Sequence, residues 1–140
     1  MILILVIDDY NGMMFNKRRQ SQDQLLRERI FSITTGNKLW MNAYSYRQFK
    51  NMDGIHIVEA EDFLELAEPG EYCFVENISV KLYEEKIEKI ILFRWNRKYP
   101  GDYFLDIDLS EKQWKLIQTD KFAGSSHEKI TMEVYCHEHE

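Results

Sequence analysis

Apolar and polar positions divide this chain of 140 residues into short alternating blocks. Residues 2–7 (ILILVI) are an unbroken apolar run, the pattern of a strand buried on both faces and too short to cross a membrane. Asp8, Asp9, Asn11 and Gly12 stop the run, and a loop continues through Arg19. Ser21-Gln22-Asp23-Gln24 then has the spacing of a capping box, in which the Ser21 hydroxyl and the Gln24 side chain serve first-turn amides. A helix is expected from there to about Ile33, with Asp23 in its first turn. Turn residues at 34–37 lead into an apolar strand at 38–41 (KLWM). Ser45 with Gln48 repeats the capping box for a short helix through Phe49, and the polar stretch 51–54 precedes a strand at 55–58.

The rhythm persists to residue 94. Phe63, Leu64 and Ala67 share one side of an expected helix at 61–68, Pro69-Gly70 turns the chain, and 72–75 (YCFV) is a buried strand. Ile78, Leu82, Tyr83, Lys86 and Ile87 space as a helix, and 89–94 (KIILFR) as a strand. Strands separated in this way by helical segments imply crossover units around a mainly parallel sheet. Beyond 95 the helical period disappears. The segment 95–102 is a polar loop, 103–107 is extended, 109–112 forms one turn, and two strands, 114–120 and 129–136, are joined by the loop 121–128. In the second of these, Ile130, Met132, Val134 and Cys136 alternate with Lys129, Thr131, Glu133 and Tyr135, so an antiparallel hairpin is expected to extend the sheet.

Composition adds boundaries rather than elements. The length suits one domain over residues 1–140, and an apolar content of 44% is ample for a packed core. The net charge of −6 gives no global attraction to nucleic acid or to an anionic membrane, so neither is an expected partner. Cys73 and Cys136 both fall in strands and read as reduced thiols, which with the missing export signal leads to the expectation of a cytoplasmic protein.

The order of elements and several local motifs resemble dihydrofolate reductase, in a shortened form over essentially the whole chain. MILILVIDDYNGMMF is similar to that family's first strand and mobile substrate loop. Ser21-Gln22-Asp23-Gln24-Leu25-Leu26 resembles the start of its first long helix, where a carboxylate binds the pterin ring and assists protonation. Tyr72-Cys73-Phe74-Val75 followed by Tyr83 is similar to the strand and helix carrying its glycine pair and tyrosine, and 90–93 fits the next strand. Gly101-Asp102-Tyr103-Phe104 resembles its Gly-Asp-x-x-Phe/Tyr segment, and Trp114 with Ser126-His127-Glu128 through Tyr135 resembles its closing hairpin.

The resemblance implies a three-layer α/β/α fold with a mostly parallel central sheet and an antiparallel C-terminal hairpin. It implies a small planar heterocycle, pterin- or nucleotide-like, as ligand, and reductase chemistry with Asp23 as the catalytic carboxylate. Ile7, Asp8, Gly12, Arg18, Arg19, Leu26 and Phe93 would then lie on the substrate side, and Ser45, Asn77 and Tyr83 on the cofactor side. NADPH is the cofactor implied. Against it, Glu76-Asn77 stands where the family has two glycines, Asn42-Ala43-Tyr44-Ser45 replaces a segment with a phosphate-binding arginine, and Asn16-Lys17-Arg18-Arg19 replaces a Trp-Pro pair. A carboxylate before the helix expected at Ile78 competes with phosphate for the same positive helix end. The alternative is a non-catalytic interaction module on the same fold, using the 17–19 loop.

Other motifs weigh less. Asp8-Asp9 with Asp53-Gly54 superficially resembles a phosphoacceptor site, but residues 47–52 are no buried strand and Asp8-Asp9 reads better as a turn cap. Cys136-His137-Glu138-His139-Glu140 alternates metal-type ligands, yet a closed zinc site needs about four converging ones, so no metal is expected. Most aromatics read as core. Trp95 and Tyr99, in a polar loop, are expected to be exposed and to serve as binding or homodimer contacts.

Overall fold

A computed structural model describes residues 1–15, 18–19, 23–49, 56–95, 101–125 and 129–137, with residues 15, 18, 19, 101 and 102 described by their backbone. The central sheet is built on β1 (Ile2–Ile7), which pairs in parallel with β6 (Tyr72–Phe74) on one side and β7 (Lys89–Arg94) on the other. Beyond β6 lie β4 (Lys38–Met41) and β5 (His56–Glu59), both parallel. Beyond β7 lie β10 (Ile130–His137) and the edge strand β9 (Trp114–Phe122), both antiparallel to their neighbours. The strand order is therefore β5-β4-β6-β1-β7-β10-β9. The mixed sheet expected from the alternating blocks and the C-terminal hairpin is the one observed.

Two apolar layers cover the sheet, and β1 shows why a continuous apolar run is needed. Side chains alternate across a strand, so Ile2, Ile4 and Val6 enter one core while Leu3, Leu5 and Ile7 enter the other. The first core takes Leu26 and Ile30 from helix α1 (Gln24–Thr34) and Phe49 from helix α2 (Ala43–Phe49). There Phe49 stands edge-on to Phe74, ring centroids 5.2 Å apart, and tilted against Phe31 at 5.4 Å. The second core takes Phe63 and Leu64 from the single turn α3 (Phe63–Leu66), with Val80, Ile87, Leu105, Ile107 and Trp114.

Several elements differ from expectation. The substrate-side loop is not all loop: β2 (Gly12–Phe15) pairs with β3 (Arg18–Arg19) and with β8 (Gly101–Phe104) in a second, three-stranded sheet. The expected helix at 61–68 is one turn. The segment expected to be helical from Ile78 is a 3-10 helix, Lys81–Lys86, held by the buried Val80 and Ile87 at its two ends while Leu82 is 91% exposed. Lys86 Nζ donates to the carbonyls of Leu64 and Glu65 at 2.9 and 2.8 Å, which satisfies two acceptors that the short α3 leaves open.

Trp95 is also corrected, because it is 1% exposed and part of the α1-side core. Its amide donates to the Ile7 carbonyl at 3.1 Å, extending the β1–β7 ladder by one residue, and the period of two continues Ile91 and Phe93 on the same face. Tyr99 lies outside the described residues, as do Ser21, Gln22, Asp53, Gly54, the 126–128 segment and the 138–140 segment.

The two thiols are free and differ in environment. Cys73 is buried, which pushes its thiol up to about 12, whereas Cys136 is half-buried. A thiolate is the reactive species, so a disulfide-exchange reagent at mildly alkaline pH should label Cys136 in the folded protein and Cys73 only after unfolding. Rapid labelling of a folded Cys136→Ser variant would contradict this placement.

Candidate functional site

The C-terminal tips of β1, β4, β6 and β7 face the same end of the sheet, where the connections of open α/β sheets form crevices. At the tip of β1, Asp8 is completely buried, and its Oδ1 accepts hydrogen bonds from the amides of Tyr10 and Gly12, both at 2.8 Å. Asn11 takes the left-handed conformation at φ 62°, and a Cβ on Gly12 would sit 3.0 Å from both Asp8 carboxylate oxygens. Asp8 thus organises a tight turn, as its sequence context suggested. Arg94, at the tip of β7, holds that turn from outside: its Nε donates to Glu133 on β10, and its Nη1 donates to Asn11 Oδ1 at 3.2 Å. Burial opposes the Arg94 charge, but the bonds to Glu133 and Tyr135 outweigh it and raise the guanidinium further. Arg94 was missed in the sequence, where a cation ending an apolar strand carries no sign of its tertiary partners.

Asp23 is the N-cap of α1, not a first-turn residue. Its backbone is extended, and its Oδ1 accepts from the Leu26 amide at 3.0 Å. The carboxylate is fully buried beneath the β9–β10 connection. A Cβ at Gly124 would lie 3.0 Å from Asp23 Cγ and closer still to Oδ2, so only glycine allows this approach. Next to it Ser125 Oγ accepts from the Gln24 amide at 3.0 Å, supplying a second first-turn partner. The loop after β9 therefore does part of the capping that the sequence pattern assigned to Ser21.

The substrate-side candidates do not all converge. Leu26 and Phe93 share the α1-side core with Val6, whereas Ile7 points into the opposite core, because successive residues of β1 alternate. Val6 is the β1 residue that belongs with Leu26 and Phe93. Arg18 and Arg19 lie in β3, opposite Phe15 and Met14 respectively, on the backbone of the small sheet. Exposed aromatics adjoin that sheet: Tyr10 is 58% exposed, and Phe104, opposite Gly12, is 46% exposed.

On the other flank, between the tips of β4 and β6, polar side chains bond to one another. Asn42 Nδ2 donates to Asn77 Oδ1 at 2.9 Å, and Asn42 Oδ1 accepts from the Ser45 amide at 3.1 Å, so Asn42 rather than Ser45 caps α2. Gln48 Nε2 donates to Glu76 Oε2 at 3.0 Å, and Glu76 is only 5% exposed. Ser45 is fully buried inside α2. Tyr83 does not join this group: its hydroxyl donates to Glu65 Oε1 of α3 at 3.1 Å, and that carboxylate raises the phenol. No helix begins at Ile78, so no helix end is available there for a phosphate.

This flank fits a dinucleotide phosphate poorly. The groups joining β4, α2 and the tip of β6 are amides and one buried carboxylate, and the carboxylate would repel an anion while the Asn42–Asn77 bond spans the gap. Arg47 is two residues from Ser45, on the opposite side of α2, and is exposed.

No protein-family model matches the chain, and no curated protein matches it in sequence. Among solved structures it is similar to dihydrofolate reductase from Enterococcus faecalis, determined in complex with NADP(H) and RAB-propyl. That similarity has a TM-score of 0.67 at 15% sequence identity and covers 99% of this chain and 96% of that one. At such identity the likeness is one of fold, and the fold is that of dihydrofolate reductase.

Proposed function

We propose that this chain is a ligand-binding protein on the dihydrofolate reductase fold, taking a small planar heterocycle at the strand-tip end of its sheet without a nicotinamide dinucleotide. The observation that carries the second half of this reading is the bonded set Asn42–Asn77 and Gln48–Glu76, which occupies the flank where a cofactor phosphate would approach. For the first half the support is the fixed turn at Asp8, directly after β1, together with the capped α1 N-terminus at Asp23. The Asp23 carboxylate, whose Oδ1 already accepts from the Leu26 amide, is the proposed acceptor for a ring N–H, and Arg18 and Arg19 of β3 are the proposed cations for an anionic tail. Leu26 and Phe93 are fully buried in the α1-side core, so they back this region rather than present a face to the ring.

The test is a thermal-shift and fluorescence titration with NADPH, NADH, dihydrofolate and a 2,4-diaminopyrimidine, singly and in pairs. Dihydrofolate or the diaminopyrimidine should raise Tm saturably, and neither nicotinamide cofactor should. Saturable NADPH binding or NADPH-dependent turnover sinks the dinucleotide-free reading, and no response to either heterocycle sinks the ligand assignment. Asn caps helices about as well as Asp, so Asp23→Asn should keep the fold while weakening heterocycle affinity about tenfold, roughly 1.4 kcal/mol.

A further inference from the structure

A cavity lies at the end of the sheet opposite the strand tips, on the α1 side, near the starts of β1, β6 and β7. Its volume is about 210 Å³. Ile2, Ile91, Met132 and Val134 form a floor on the sheet, with Tyr72 and Ile33, both half-buried, beside them. Besides the Tyr72 phenol, the polar lining residues are Lys89 and Gln118, and both are exposed, so they form its mouth.

The cavity has a structural origin in how α1 meets the edge strand. One helical turn before Ile33, Arg29 Nη1 bonds Asp120 at 2.7 Å, and its guanidinium lies 4.1 Å over the Phe122 ring, so α1 and β9 are tied together. At the level of Ile33 and Gln118 no such tie exists among the described residues, and the helix and sheet leave a gap. The tied level is charge-balanced. At the open level neither the Lys89 ammonium nor the Gln118 side-chain amide makes an ion pair or hydrogen bond among the described residues, although the Lys89 charge is felt by the neighbouring Glu88.

We propose that this cavity is a binding site for a small monocyclic aromatic carboxylate, its ring against the aliphatic floor and its carboxylate at Lys89 and Gln118. The volume exceeds the roughly 150 Å³ that accommodates benzene in an apolar cavity, leaving space for a short acidic arm. A pleated face of Ile, Met and Val side chains offers a flat apolar floor, and a thioether makes favourable contacts with ring edges. A lone cation and an amide donor at the mouth match a carboxylate. This site does not rest on the heterocycle reading: apart from Met132, which pairs with Phe93, its sheet lining lies toward the other end of the strands.

Phenylacetate is the probe, followed on the full chain by amide chemical shifts. Saturable shifts should gather at Ile2, Tyr72, Ile91 and Met132. Lys89→Glu, at an exposed position, should weaken binding about tenfold or more, phenylacetamide should bind similarly weakly to the unaltered protein, and Ile33→Trp should abolish binding by filling the space while the spectrum stays folded. Shifts that fail to saturate, that gather near Asp8 and Asp23 instead, or that are equal for acid and amide overturn the proposal.

Discussion

Replacing Gly124 with alanine should cost about 2–3 kcal/mol of unfolding free energy, measured by urea denaturation, as expected for a methyl forced into a filled site. The new Cβ would meet the Ile130 Cδ1 atom at 2.7 Å and the Asp23 carboxylate at less than contact distance. The Ile130 side chain is packed in the α1-side core, and the Asp23 carboxylate is fixed by the cap bond to Leu26, so neither yields easily. The expected response is displacement of the β9–β10 connection, with loss of the Ser125–Gln24 bond. A double-mutant cycle separates this cause from others. Asp23→Ala alone removes the cap at about 1 kcal/mol, but it also removes the group that the methyl strikes. The double variant should therefore lose less than the two single losses combined, by about 1 kcal/mol. Strict additivity would mean that the carboxylate is not the obstacle.

Neither Gly124 nor its role was visible in the sequence, and the reason applies to much of the site. The edges of β1, β4 and β7 were legible because an apolar run bounded by polar residues determines a strand from local information alone. The helix caps were misread in the same way twice. In both cases a Ser-x-x-Gln pattern competed with a nearby Asp or Asn, and the carboxylate or amide took the cap, Asp23 for α1 and Asn42 for α2. Their spacing to Leu26 and Ser45 was present in the sequence, but two equally good caps lay within three residues of each other. The small sheet was illegible for another reason. It joins Gly12–Phe15 to Gly101–Phe104, and neither segment alternates strongly enough to announce a partner so distant in the chain. Trp95 was misjudged because the polar residues after it were weighted above the period of two inherited from β7.

Asn42→Ala should be the other large loss, about 2 kcal/mol, combining a removed cap at about 1 kcal/mol with a broken partner for Asn77 at about the same cost. Asn42 is 5% exposed, so water replaces these bonds poorly. Asn42→Asp discriminates between the two contributions. It keeps an acceptor for the Ser45 amide but has no donor for Asn77 Oδ1, and it adds a carboxylate to the flank that already contains Glu76. Hydrogen exchange at the Ser45 amide should therefore quicken in the alanine variant and stay slow in the aspartate variant, while both lose stability. An aspartate variant as stable as the unaltered protein would show that the Asn42–Asn77 bond adds nothing. The spanned gap would then no longer argue against a phosphate, and the buried Glu76 carboxylate would bear that argument alone.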